Sequence, residues 1–329
     1  MTGRIFLLGI WLLLPVVSTA AAEPSETIEE VVATGVQPGP KMWRLSKGEH
    51  ELWIFGTLSP IPKDIEWDSE SVEAVLADTQ EVISPPRVRV NANPFKGILA
   101  LPLLWGVLNN PDKQKLEDIL SPELYQRWST LKSLYIGSNR KIEKRRPIFA
   151  GSELFVKAID ETGLEFNRKV LKKINKLVKK NKIPTTLTSI TRTIENPRAL
   201  IKNFKRSRID DIVCFEKTIH RLEVDLGTMR TRALAWSSGD LATLKALPYE
   251  DNFLSCIDAV LNSSFGSDLA TESGLGKLDK RLEQKWIDAA KKALDTNTVS
   301  FATLPISELL DPNGYLIHFR NSDYQIRGG

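Results

Sequence analysis

The sequence predicts an α/β fold whose central β-sheet comes from strands at both chain ends, with a largely helical middle. Three observations carry this expectation. Near the N-terminus, residues 42–45 alternate and residues 51–57 are rich in apolar and aromatic side chains, with the turn chemistry of Ser46-Lys47-Gly48-Glu49 between them. The middle of the chain repeats apolar residues at helical spacing. Strand-like sequence then returns at residues 298–304 and 323–326.

Ahead of the hairpin, residues 1–22 read as a secretory signal peptide. Arg4 supplies the positive start, the apolar run from Ile5 to Val17 is 13 residues long, and Ala20 and Ala22 frame a small-residue cleavage site. A bilayer span needs about 20 residues, so this segment is expected to be removed rather than kept as an anchor. Residues 23–40, polar and containing Pro24, Pro38 and Pro40, are expected to form a flexible tether, and residues 41–329 a single domain. No later segment is apolar and long enough to span, so no transmembrane segment is expected after signal removal. The implied location is periplasmic.

After the hairpin, Ser69 is placed to cap a helix that turns Val72, Val75 and Leu76 inward. A short buried strand follows at residues 81–84 and is stopped by Pro85-Pro86. Helices are predicted over residues 121–134 (opened by the Ser121-Pro122 cap), 153–162 (closed by Gly163) and 166–182. Residues 208–235 form one long helix or two, Ser238-Gly239-Asp240 starts the next with an N-cap, and residues 277–294 are helical again. Residues 306–319 are expected to be helical with a break at Pro312-Asn313-Gly314.

The composition, 42% hydrophobic and 26% charged, is that of a soluble globular domain able to build a core without disulfides. Cys214 and Cys256, an even pair in an exported chain, are expected to form one disulfide, with two separate buried thiols as the alternative. Net charge is only +4, yet 20 Lys/Arg against six Asp/Glu lie between Arg140 and Arg208, an asymmetry that bears on partners rather than fold. Its centre is residues 168–182, where Lys172, Lys173, Lys176, Lys179 and Lys180 cluster on one polar helix face. That face is either simply solvated or docks to an envelope polyanion such as phospholipid headgroups, lipopolysaccharide or acidic polysaccharide. Nucleic acid is not an expected partner in a periplasm.

Recognisable catalytic motifs are missing from the sequence. It holds no phosphate-binding loop, no dinucleotide fingerprint and no Gly-x-Ser-x-Gly elbow. His50, His220 and His318 stand in no metal-ligand motif. Asp64, Glu66 and Asp68 alternate, which suits either an oxygen-donor site for a hard cation or a solvated acidic loop. Ser59 and Ser84 have no identifiable base.

Several of these segments resemble one known family. Trp43-Arg44-Leu45-Ser46-Lys47-Gly48 leading into Leu52-Trp53-Ile54-Phe55-Gly56-Thr57-Leu58 resembles the TraB/GumN family, which includes the TIKI metalloproteases. Ala235-Trp236-Ser237-Ser238-Gly239-Asp240-Leu241 is similar to its Trp-x-x-Gly-Asp helix junction, and Arg281 with Trp286 to its Arg-Asn-x-x-Trp helix. Phe301 to Gly314 with Tyr324-Gln325-Ile326 is similar to its C-terminal strand-helix-strand. The resemblance implies an α/β fold like those of ChaN and the erythromycin-esterase-like proteins. Members thought to bind metal carry two Gly-x-x-His motifs and a Glu. Here Gly56 is kept, but Ser59, Ser84 and Pro305 align with the first His, the Glu and the second His. The expectation is therefore no metal, no catalytic residues and no cofactor.

Residues from Ile28 to Gly35 also resemble a TonB box, a segment that binds by strand addition and would place the host among Gram-negative bacteria; a β-rich tether is the alternative. Taken together, the residues predict a non-catalytic binding or scaffold module of the periplasm. The alternative is a hydrolase, metal-dependent or serine, with a rearranged active site.

Overall fold

The computed structural model describes residues 38–92, 101–207, 209, 211–247, 256, 278–320 and 323–328. The signal-peptide segment, residues 23–37 of the tether and the stretch from Ile28 to Gly35 lie outside the described residues.

In chain order the strands are β1 (Met42–Lys47), β2 (His50–Thr57), β3 (Ile61–Pro62), β4 (Glu81–Ile83), β5 (Val88–Ala92), β6 (Leu164–Glu165), β7 (Thr185–Thr186), β8 (Ile190–Ile194), β9 (Val299–Pro305) and β10 (Gln325–Arg327). The α-helices are α1 (Glu70–Asp78), α2 (Leu116–Ile119), α3 (Pro122–Tyr135), α4 (Pro147–Glu161), α5 (Arg168–Lys180), α6 (Pro197–Arg206), α7 (Ile212–Val224), α8 (Leu226–Ser238), α9 (Leu241–Ala246), α10 (Leu278–Thr296) and α11 (Ile306–Leu310).

The predicted hairpin forms, with Lys47 opposite His50 and Gly48 at φ +58 supplying the left-handed turn residue. It seeds a six-stranded sheet of order β10-β1-β2-β9-β4-β7. The β10-β1-β2 edge is antiparallel, whereas β2, β9, β4 and β7 run parallel. The fold is thus the expected α/β type, with strands from both chain ends in one sheet. Central β9 buries residues 300–304 without alternation, as a parallel strand covered on both faces does.

One hydrophobic core joins the sheet, through Leu52, Ile54, Phe55 and Phe301, to Val72 and Leu76 of α1, Trp236 of α8 and Trp286 of α10. A second lies between α3, α4 and α7, where Trp128 and Phe215 meet with ring centroids 5.4 Å apart. The sulfurs of Cys214 on α7 and Cys256 are bonded, with Cα atoms 4.8 Å apart.

Some boundaries differ from the expected ones. Helix α4 begins at Pro147 rather than residue 153, because Pro147 takes the first helical position, where a missing N–H costs nothing. Of the two readings open for the stretch that holds Cys214, two helices is the one found: α7 and α8 run over residues 212–224 and 226–238 and break at Asp225, whose carbonyl receives the N–H groups of Thr228 and Met229 (both 3.0 Å). Strands β3, β6 and β7 were not expected, since two residues carry no periodicity. Nor was the parallel pair of β5 and β8, whose partners are far apart in sequence.

Candidate functional site

In open α/β sheets, ligands sit outside the carboxyl ends of parallel strands, where chain connections diverge. Here the chain passes from β4 outward to β7, whereas from β9 it crosses back to β10. The divergence falls between the adjacent strands β9 and β4. Thr57 at the end of β2 is in register with Pro305 at the end of β9, and Ile83 of β4 with Ala302. The fold therefore brings three sequence-predicted positions, Ser59, Ser84 and Pro305, to the rim formed by the carboxyl ends of the neighbouring strands β2, β4 and β9.

Ser84 has a structural employment, and Pro305 offers no ligand atom. Ser84 is buried, its hydroxyl accepts the Thr188 N–H at 3.0 Å, and its carbonyl accepts the Thr188 hydroxyl at 2.8 Å. Those bonds fasten the loop after β7 to the end of β4. Pro305 is exposed at the N-cap position of α11 and offers no side-chain donor. Ser59 is half-buried.

Gly56 lies below this rim. A Cβ there would come within 3.1–3.2 Å of side-chain atoms of Trp43, Ile306 and Leu309, a contact so tight that those side chains would have to give by a few tenths of an ångström. The Trp236 indole donates to the Gly56 carbonyl at 2.7 Å. Trp236 sits in the last turn of α8, which ends two residues later and is capped by Gly239: that glycine is left-handed (φ +72), and the Asp240 N–H returns to the Ala235 carbonyl at 2.8 Å. Phe55, Trp67 and Trp236 then pack pairwise in tilted and edge-on contacts, with centroids 5.7–6.2 Å apart.

That hairpin, those strand ends and that helix junction extend over nearly all the described chain, and the model of the TraB/PrgY/gumN family matches residues 41–328. The chain belongs to the TraB/PrgY/gumN family. No curated protein and no solved structure matches it.

A catalytic zinc needs about three converging His, Cys or carboxylate ligands. In this TraB/PrgY/gumN protein, the residues at the strand-end rim are two serines and a proline, and they do not fit a transition metal. No group of three His, Cys, Asp or Glu is placed to hold a metal among the described residues. The histidines are dispersed. His50 bonds the Leu294 carbonyl at 2.8 Å, His318 pairs with Glu283 at 2.8 Å, and His220 is exposed on α7. The acidic loop does not converge either: Asp64 faces Arg230 at 3.9 Å, Asp68 accepts the Glu70 N–H at 2.8 Å, and Glu66 is exposed. Arg281 is exposed near the start of α10, while Trp286 is fully buried against Tyr315.

The five lysines share α5. Lys172, Lys176, Lys179 and Lys180 are exposed to solvent. Lys173 is also exposed, but its ammonium approaches Glu73 at 3.8 Å and sits 5.4 Å from the Trp67 ring centre.

Sequence reasoning missed a cavity of about 340 Å³ beside the β2 end, floored by Ile61, Ile65 and Val170 and rimmed by Glu66, Glu165, Lys169 and Lys173. Asn167, just ahead of α5, donates to the Leu58 carbonyl at 2.7 Å and so sets one wall against the loop after β2. Lys169 and Glu165 pair across the rim at 3.1 Å. The arrangement presents an apolar floor with charges of both signs at the mouth. Only the i, i+4 spacing of Glu165 and Lys169 was available to signal it.

Proposed function

We propose that this TraB/PrgY/gumN-family protein is an exported, non-catalytic binding or scaffold module of the periplasm. The observation that carries the reading is the bonding of Ser84. At the strand end where the family resemblance aligns a Glu, the side chain is buried and engaged with Thr188. The neighbouring aligned positions, Ser59 and Pro305, supply no imidazole. Rebuilding a metal site there would require replacing all three side chains and releasing the loop that Ser84 holds. The signal-like N-terminus and the Cys214–Cys256 disulfide support an oxidising compartment. The exposed lysines of α5 supply a face for an anionic partner.

The test has two arms. In the first, the purified chain is dialysed against zinc, manganese or cobalt, desalted and assayed for bound metal and for turnover of peptide and ester panels. The expected result is far less than one metal per chain and no turnover. Stoichiometric metal, or hydrolysis abolished by Ser59→Ala or Ser84→Ala in a folded protein, overturns the non-catalytic assignment. In the second arm, fractionation of a Gram-negative host is expected to place the shortened, disulfide-bonded chain in the periplasm. Full-length chain in the cytosol overturns the export assignment.

A further inference from the structure

Away from the strand-end rim, two segments meet that the reading above does not use. The first is the run Leu101-Pro102-Leu103-Leu104-Trp105-Gly106-Val107-Leu108, which has no charged side chain. It forms a 3-10 turn at Leu101–Leu104 and reverses at Gly106 (φ +69), closed by Val107 N–H to the Leu104 carbonyl (3.0 Å) and Asn109 N–H to that of Gly106 (3.1 Å). Trp105 is 89% exposed, and Leu101, Leu104 and Leu108 are 57%, 46% and 39% exposed. One exposed apolar residue is ordinary, but four in a single turn mark an interaction surface.

The second segment is α6, which lies against that turn. Pro197, Leu200, Ile201 and Phe204 form its inner stripe at helical spacing, and Arg198, Lys202 and Arg206 are exposed on the other side. None of these three cations forms an ion pair among the described residues, and acids are sparse around them: none lies between Glu81 and Asp112, and Glu195, Asp210 and Asp211 are the ones that flank α6.

Arg146 joins the two segments. Its backbone N–H donates to the Leu108 carbonyl at 2.9 Å, while its guanidinium donates to the carbonyls of Phe204 (2.7 Å) and Ser207 (3.0 Å) at the end of α6. At 2% exposure, it fixes the apolar turn and the basic helix as one rigid unit.

We propose that the Leu101–Leu108 turn and α6 form a membrane-docking surface for an anionic bilayer. Trp105 and the leucines enter the headgroup–acyl boundary, and Arg198, Lys202 and Arg206 pair with phospholipid phosphates. The pairing of an apolar, Trp-bearing tip with unpaired cations is what selects this occupant, because a bilayer interface offers apolar depth directly beneath a layer of negative charge. The turn is far shorter than the roughly 20 residues needed to cross a membrane, and no described helix is long and apolar enough to do so. The turn therefore reaches only the interfacial layer.

Co-sedimentation of the full chain with vesicles tests this. Phosphatidylcholine vesicles containing phosphatidylglycerol should bind the protein in a salt-sensitive way, and phosphatidylcholine alone should bind it at least roughly tenfold more weakly. Leu104→Ser with Trp105→Ser should weaken binding roughly tenfold or more, since about two apolar anchors are lost. Reversing Arg198, Lys202 and Arg206 to Glu should remove the preference for anionic lipid, each cation contributing roughly fivefold. As a readout independent of variant folding, brominated lipid should quench the tryptophan emission of the wild type more than that of Trp105→Phe. The proposal is overturned by absence of binding to anionic vesicles, by equal quenching in wild type and Trp105→Phe, or by binding that is lost only when the α5 lysines are reversed. It is also overturned by self-association that Trp105→Ser abolishes in a chain that ignores vesicles, which would assign the turn to a second copy.

Discussion

The indole nitrogen of Trp236 donates to the carbonyl oxygen of Gly56 at 2.7 Å, linking the last turn of α8 to β2 across 180 residues of chain. Both groups are buried, and the bond satisfies a carbonyl close to the end of a parallel strand. A buried acceptor that loses its donor costs about 1–3 kcal/mol. Trp236→Phe keeps most of the aromatic packing against Phe55 and Trp67 but removes the donor. The expected result is a loss of about 1–3 kcal/mol in urea unfolding at an unchanged slope. An unchanged midpoint would show that the Gly56 carbonyl finds another partner.

Gly56 itself gives the complementary experiment. Its added Cβ would meet Trp43, Ile306 and Leu309 at 3.1–3.2 Å; Trp43 lies on the neighbouring strand β1, and Ile306 and Leu309 lie on α11, which packs on the sheet. None is the free end of a flexible surface chain, so the core has to shift. Gly56→Ala is expected to destabilise the protein by about 1–3 kcal/mol through overpacking. A calorimetric melting temperature equal to the wild type would mean that the sheet absorbs the methyl group at no cost.

These contacts mark the boundary of what the sequence made legible. The hairpin was readable from alternation and from Gly48, and α3 from Ser121-Pro122, whose hydroxyl accepts the Leu124 N–H at 3.3 Å. The family pattern brought Ser59, Ser84 and Pro305 into consideration, and the register of Thr57 with Pro305 is what makes β2 and β9 end together. The Ser84–Thr188 bonds were not legible, because they depend on a two-residue strand, β7, with no periodic signal. Neither was the role of Arg146. A basic residue ahead of Pro147 looks like a surface charge until tertiary folding buries it under the end of α6.

Arg232 and Asp225 form the most enclosed ion pair among the described residues, joined at 2.6 and 3.4 Å with side-chain exposures of 3% and 12%. Asp225 also ends α7 and starts α8, so its charge sits at a helix break. Removing one partner of a buried pair costs up to about 3–5 kcal/mol, and here Arg221, whose Nε lies 3.5 Å from the same carboxylate, keeps part of the Asp225 charge compensated and holds the loss to the lower end of that range. Arg232→Met should show a loss of that order in chemical denaturation. Adding Asp225→Asn should recover part of it, because a neutral amide needs no counter-ion. A double variant as unstable as the sum of both single changes would refute this account.

Asp240 sets a pH dependence at the junction of α8 and α9. Its carboxylate accepts the Thr243 hydroxyl at 2.6 Å and the Thr243 N–H at 3.0 Å, and these bonds, the hydroxyl first, hold its pKa below the ordinary 3.8. A carboxyl whose pKa is depressed on folding contributes stability above its unfolded value, and that stability is lost as pH falls through the folded value. Asp240→Asn keeps an oxygen acceptor for the cap but carries no charge. The variant should therefore be less stable than the wild type near neutrality, and the gap should close as pH drops below about 4. Urea midpoints measured across that range decide the matter: a gap that persists at the acid end would assign the effect to altered cap geometry rather than to the ionised carboxylate.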